Sequence, residues 1–163
     1  MKPVFIIIRG NSASGKTVLA NQLQQHFGYA NCLLLHQDLI RRDILHAGDH
    51  FGTPAVSFIK TLIDYGFYHY PITILEGILR RDVYGDMLRL ACKQFYPNSY
   101  VYYLDSSISQ TIKNNQLKDH PFPLQLLQKW WLEKDYLSTT DVKLVDGSTS
   151  TFCEQIINDI GFK

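Results

Sequence analysis

The chain has 163 residues, of which 45% are hydrophobic, which is enough to bury the core of one domain. Sixteen Lys and Arg balance 15 Asp and Glu, and a formal charge of +1 excludes a broad field for nonspecific binding of nucleic acid or an anionic membrane. The apolar run at residues 4–8 is too short to span a bilayer and lacks a signal-peptide cleavage pattern, which predicts a cytoplasmic protein. Cys32, Cys92 and Cys153 form no C-x-x-C pair, and we expect them to be reduced and buried.

Five short apolar runs alternate with segments of helical spacing. The runs cover residues 4–8, 32–36, 72–75, 100–104 and 142–145. Runs that are apolar on both faces are typical of strands buried in a parallel sheet. The first helical segment places Val18, Leu19, Leu23 and Phe27 on one predicted stripe and ends at Gly28. The pattern therefore predicts an α/β fold, a doubly wound parallel five-stranded sheet with helices on both faces.

The loop after the first run carries the strongest motif. Residues 10–17 read G-N-S-A-S-G-K-T and match G-x-x-x-x-G-K-[ST] in full. Its backbone N–H groups and the positive end of the following helix converge on one point, which suits a polyphosphate. We expect Lys16 to reach the β and γ phosphates and Thr17 to bind Mg²⁺; a glycine-rich turn without a ligand is the alternative. The predicted nucleotide contacts are Gly10, Asn11, Ser12, Ala13, Ser14, Gly15, Lys16, Thr17 and Val18.

The second run leads into H-Q-D-L-I-R-R, which places Asp38 at the end of a strand that we expect beside the P-loop strand. Strand, P-loop and D-x-x-R after the second strand resemble the small P-loop kinases, particularly the branch with polynucleotide 5′-kinases, chloramphenicol phosphotransferase and zeta-toxin-like kinases. The resemblance implies that Asp38 deprotonates the acceptor hydroxyl and that Arg41 helps to bind the substrate. A fixed carboxylate can accept that proton as the bond to phosphorus forms. The alternative for Asp38 is a helix N-cap.

The third run leads into Glu76 and Gly77. The resemblance implies that this acid lies near the nucleotide metal or the acceptor. A carboxylate at that depth is costly to bury unless a cation or hydrogen bonds satisfy it. Thr17, Asp38 and Glu76 are therefore the predicted Mg²⁺ ligands, and an ordinary capping or salt-bridge role is the alternative for Glu76. Residues 80–82, R-R-D, are expected to begin a solvated helix, and a contact with phosphate is the alternative.

Two long connections are candidates for the substrate site. Residues 41–70 are expected to form two helices, broken near Gly48 and residues 52–54, as one wall of an acceptor pocket. Residues 106–137 carry Pro121 and Pro123 between two helical pieces and form a candidate lid. Residues 130–137, W-W-L-E-K-D-Y-L, resemble a stretch in uncharacterised bacterial kinases of this branch, and we interpret the two tryptophans as packing residues.

The lid departs from the family pattern. Related kinases commonly place an R-x-x-x-R pair on the helix after the fourth strand, whereas this chain has Asn114 and Lys118, with Lys113 as a substitute. Lysine supplies a point charge but not the guanidinium fork. This predicts a slow enzyme whose residual lid charge is Lys118; solvated surface lysines are the alternative.

Residues 1–163 are thus predicted to form a single kinase domain that uses ATP and Mg²⁺ to phosphorylate a hydroxyl of a small molecule or nucleotide. Its predicted catalytic residues are Lys16, Asp38, Arg41 and Lys118. A regulatory module that binds nucleotide without transferring phosphate is the alternative. A GTPase is disfavoured because no N-K-x-D motif is present.

Overall fold

A computed structural model describes residues 2–161. Five strands form one parallel sheet with the order β2-β3-β1-β4-β5. They are β1 (Val4–Gly10), β2 (Cys32–His36), β3 (Ile72–Gly77), β4 (Ser99–Leu104) and β5 (Val142–Leu144). The predicted five-stranded α/β architecture is confirmed, and four of the five strands extend or shorten by one to two residues at an end.

The helices occupy the segments between the strands. They are α1 (Lys16–Phe27), α2 (Gln37–Leu39), which continues into a π-helical segment (Ile40–Ile44), α3 (Pro54–His69), α4 (Arg81–Phe95), α5 (Ile108–Gln116), α6 (Leu124–Trp130) and α7 (Thr149–Ile160). Residues 41–70 hold two helical pieces as predicted, although the first begins earlier, at Gln37. The lid segment likewise holds two pieces, α5 and α6, with the prolines between them and at the start of α6.

Alternation along β1 creates a core on each side of the sheet. Phe5 and Ile7 pack into the cluster that contains residues of α3 and α4, whereas Ile6 and Ile8 pack with α1 and α7. Successive side chains of a strand point to opposite faces, so a strand covered on both faces is apolar throughout. Each fully buried aliphatic side chain contributes about 1.5–3 kcal/mol. The central strand, buried along its whole length, therefore fixes the position of the loop that follows it.

Two expectations about packing are wrong. Val18 is 55% exposed, because the buried stripe of α1 is Leu19, Ala20, Leu23 and Phe27 and Val18 lies about 100° away from Leu19 around the helix. The strand that precedes Asp38 is not beside the P-loop strand, because β3 lies between β1 and β2. The expectation that the cysteines are buried is confirmed only for Cys32, because Cys92 and Cys153 are half-buried; all three are unpaired. No helix in residues 2–161 is long and apolar enough to cross a bilayer.

Candidate active site

The P-loop joins β1 to α1 in a conformation that depends on two glycines. Gly10 has φ 149° and Gly15 has φ 95°, and residues other than glycine rarely adopt these backbone angles. A Cβ on Gly10 would also lie 2.8 Å from the carbonyl oxygen of Leu104 at the end of β4. The loop can therefore pass closely over the sheet edge and open the helix with its N–H groups free to face a ligand.

Lys16 is held against the loop that precedes it. Its side chain is buried, and Nζ donates to the carbonyl oxygen of Asn11 at 2.7 Å and to Ser14 Oγ at 3.4 Å. Burial lowers the pKa of Lys16 to about 8, against the opposing effects of Glu76 and Asp38, which raise it. Within residues 2–161 no carboxylate forms an ion pair with Nζ, so this buried ammonium group can pair with an anion at the loop.

Thr17 and Glu76 meet at the start of α1. The Thr17 hydroxyl donates to Glu76 Oε1 at 3.2 Å, and His36 Nδ1 lies 2.8 Å from the same oxygen. Glu76 is only 4% exposed, so these contacts satisfy a carboxylate that burial would otherwise penalise. A hydroxyl and a carboxylate are hard oxygen donors and fit Mg²⁺, which keeps several waters and takes few protein ligands. Among residues 2–161, no three His, Cys, Asp or Glu side chains are grouped so that they could hold a metal ion by themselves.

Asp38 lies in a second cavity rather than in contact with the Thr17–Glu76 pair. Its carboxylate is 52% exposed and pairs with Arg41 at 3.3 Å and with Arg42 at 3.9 Å. The N-cap interpretation of Asp38 is wrong, because His36 holds that position and no side chain caps the helix. The main chain turns into helix at once after β2, which brings Asp38 and Arg41 onto one face, one turn apart.

The larger cavity, which we call the P-loop cavity, has a volume of about 1070 Å³. It is lined by residues 13–19 of the loop and α1, by α5 and by the turn between β5 and α7. Val18, which is exposed and does not pack in the core, is part of this lining. The predicted contacts Ala13, Ser14, Gly15, Lys16, Thr17 and Val18 therefore face one space, whereas Ser12 lines the second cavity together with Asp38 and Arg41.

Two residues of the lid segment lie next to the P-loop. Asn114 Nδ2 donates to the carbonyl oxygen of Ala13 at 3.0 Å, and both Asn114 and Lys118 line the P-loop cavity. Lys118 Nζ lies 5.0 Å from the ring centroid of Phe122, a residue of the second cavity. Partial burial lowers the pKa of Lys118, while the charge of Asp38 raises it. Lys113 lies on the exposed side of α5, away from the lining of the P-loop cavity.

Residues 131–137, which we call the strap, connect α6 to the sheet in a way that sequence reasoning missed. The side chain of Asn11 donates to the carbonyl oxygen of Leu132 at 2.8 Å and accepts from its N–H at 2.9 Å. Arg9, fully buried in β1, binds the carboxylate of Asp135 at 2.8 Å and two main-chain carbonyl oxygens. The signal was an arginine inside an apolar strand, which requires a buried partner.

Two further residues that the sequence reasoning did not assign line the second cavity. Asp49 accepts a hydrogen bond from Tyr84 Oη at 2.9 Å, and Lys129 extends from α6. Trp130 also lines this cavity and packs edge to face against Phe122, with ring centroids 5.3 Å apart. Trp130 therefore borders the candidate substrate space, in addition to the packing role expected of it.

The fold is similar to that of solved P-loop kinases. A gluconokinase from Sinorhizobium meliloti 1021 superposes with a TM-score of 0.72 at 16% identity, covering 98% of this chain and 93% of that one. APS kinase from Mycobacterium tuberculosis, in complex with AMPPNP and APS, has a TM-score of 0.72 at 13% identity and 99% coverage of both chains. The P-loop kinase fold predicted from the sequence is thus confirmed.

Similarity in sequence is confined to a short segment. Over 45 residues the chain is 44% identical to a uridine kinase from a Geobacillus species. This segment is 28% of this chain and 21% of the relative. No protein-family model matches the chain.

Proposed function

We propose that this protein is an ATP- and Mg²⁺-dependent kinase that transfers the γ-phosphoryl group to a hydroxyl of a small molecule or nucleotide. The observation that carries the proposal is the arrangement of two cavities around one P-loop. Lys16, Thr17 and the lid residues border one cavity, while Asp38, Arg41 and Ser12 border the other. Fold neighbours that are kinases, one of them bound to an ATP analogue, support the same class.

Nucleotide binding is assigned to the P-loop cavity. The N–H groups of residues 10–17 and the start of α1 would bind the phosphates, and Lys16 would leave the Asn11 carbonyl to pair with the β and γ phosphates. Thr17 and Glu76 are the residues that would hold Mg²⁺, whose charge, when bound, neutralises phosphate oxygens. We keep Asp38 on the acceptor side, since its contacts are with arginines rather than with the Thr17–Glu76 pair.

Asp38 would act as the general base. A hydroxyl placed in the second cavity would donate its hydrogen bond to the carboxylate of Asp38 and lose its proton as its oxygen bonds to phosphorus. Arg41 contacts that carboxylate at 3.3 Å and orients it. Lys118, near both Asp38 and Lys16, would supply positive charge to the transferring group.

Asn114 gives specific support to a second candidate, a nucleotide-binding regulatory module. It is an amide at a lid position where charge would assist transfer, and it binds the P-loop carbonyl of Ala13.

The two candidates differ in turnover, because only the kinase transfers phosphate to an acceptor. A screen with γ-labelled ATP over nucleosides, oligonucleotide 5′ ends, sugars, sugar acids and antibiotic alcohols tests both, with the Asp38→Asn variant as the inactive control. One labelled product that Asp38→Asn does not form supports the kinase, and ATP binding without any labelled product contradicts it.

A further inference from the structure

The second cavity, of about 510 Å³, has a charge imbalance that the proposed reaction does not by itself require. Four cationic side chains and two carboxylates line it. They are Arg41, Arg42, Arg80 and Lys129, together with Asp38 and Asp49. Transfer to a neutral alcohol needs one base and charge near the phosphoryl group, but not cations on three separate elements.

The contacts within the cavity leave positive charge unmatched. Asp38 is shared by Arg41 and Arg42, and Asp49 is bonded to the Tyr84 hydroxyl. The side chain of Lys129, which lines the cavity, makes no ion pair or hydrogen bond with any other residue between 2 and 161. The Nε atom of Arg41 is buried without a hydrogen-bond partner in the same range, although its two terminal nitrogens bind Ala47 and Asp38.

The positions of these cations extend the positive charge away from Asp38. Arg80 lies in the connection between β3 and α4, and it also pairs with the exposed Asp82 at 2.7 Å. Lys129 belongs to α6, on the lid side of the cavity. A cavity whose lining carries an excess of one sign of charge concentrates ligands of the opposite sign. The apolar part of the lining includes Trp130, which follows Lys129 in the chain, and Phe122, which packs against Trp130.

We propose that the acceptor is an anionic alcohol, with a phosphate or carboxylate group that binds Arg80 and Lys129 while its hydroxyl faces Asp38. This inference rests on the proposed function, because it takes the second cavity as the acceptor site. Arg80 and Lys129 are then specificity residues, distinct from the D-x-x-R pair that orients the base.

The test measures anion binding without turnover. The chain contains two tryptophans, so Trp131→Phe leaves the indole N–H resonance of Trp130 as a single reporter at the cavity. With AMPPNP and Mg²⁺ occupying the P-loop, inorganic phosphate and gluconate are titrated at constant ionic strength, adjusted with chloride. We expect a saturable shift of the Trp130 resonance, and the more effective anion identifies phosphate or carboxylate as the preferred group.

Charge-neutralising variants locate the binding. Lys129→Gln and Arg80→Gln should each raise the dissociation constant of the anion about fivefold or more. The matched control Lys113→Gln, on the exposed face of α5, should leave that constant unchanged. No saturable shift with either anion, or equal affinity in all three variants, overturns the inference. The transfer screen tests the proposed function separately: transfer to neutral alcohols alone, insensitive to Arg80→Gln, would support a kinase and refute the anionic acceptor.

Discussion

Lys16 combines burial with an unmatched charge, and this has a measurable consequence. Its pKa, lowered to about 8 by burial, should rise when phosphates pair with it, so the protein should take up protons on binding ATP·Mg²⁺ between about pH 8 and 9. Calorimetry in buffers of different ionisation enthalpy measures this uptake. We expect Lys16→Ala to bind ATP·Mg²⁺ more weakly and without that uptake. A folded Lys16→Ala variant with unchanged affinity would show that Lys16 does not contact the phosphates.

The same pKa predicts a pH dependence of stability. Unfolded lysine has a pKa near 10.4, so between about pH 8 and 10 the unfolded chain binds more protons at Lys16 than the folded one. The destabilising contribution of Lys16 is therefore fully present below pH 8 and is relieved as the pH rises through this window. Urea unfolding of the parent and of Lys16→Met should differ most at pH 7 and converge near pH 10. A constant difference would contradict the buried charge.

For Asp38 the prediction concerns rate rather than binding. Asp38→Asn should leave ATP affinity near normal and lower transfer by about 10²- to 10⁴-fold, because the amide cannot accept the proton. Single-turnover transfer with the acceptor from the screen measures the effect. Asp86→Asn, which alters an exposed carboxylate paired with Arg89 outside the cavity lining, is the control for a general change of charge. A loss of only a few-fold in Asp38→Asn would exclude a base role.

At the scale of elements, α5 and the turn after it decide how much charge the lid supplies. Lys118→Ala should reduce turnover more than ATP affinity, because Lys118 lies near both Lys16 and Asp38. Asn114→Arg should raise turnover, since an arginine in such a position is worth about 10³- to 10⁵-fold in related chemistry. Lys113→Ala is the matched control. If Lys118→Ala and Asn114→Arg match the parent in rate and affinity as Lys113→Ala does, α5 is not a catalytic lid, and the regulatory module gains support.

At the scale of the whole molecule, the strap joins the lid to the central strand through a buried ion pair. Removing Asp135 leaves the buried Arg9 with only the more distant carboxylate of Asp141, at 4.0 Å. Because losing the nearer partner exposes a buried charge, Asp135→Ala should lower the free energy of unfolding by about 3 kcal/mol. Asp86→Ala, which breaks the exposed pair with Arg89, should cost at most about 1 kcal/mol. Urea denaturation measures both. Equal, small losses would mean that the carbonyl oxygens and Asp141 satisfy Arg9 without Asp135.

The sequence determined the local features of this protein. The glycine-rich loop was predictable because only glycine adopts the angles of Gly10 and Gly15, and the strands were predictable because a sheet covered on both faces requires continuous apolar runs. The helix end at Gly28 and the break in the lid at its prolines follow from backbone chemistry in the same way.

Only the tertiary structure decided which distant residues meet. Strand order depends on pairing between segments far apart in the chain, so the position of β3 between β1 and β2 left no local signal. The same holds for the pairing of Thr17 with Glu76, for the bond from Asn11 to the strap, and for the gathering of Asp49, Arg80 and Lys129 around one cavity. Local propensity specifies each segment, but contacts between segments are set by how the whole core packs.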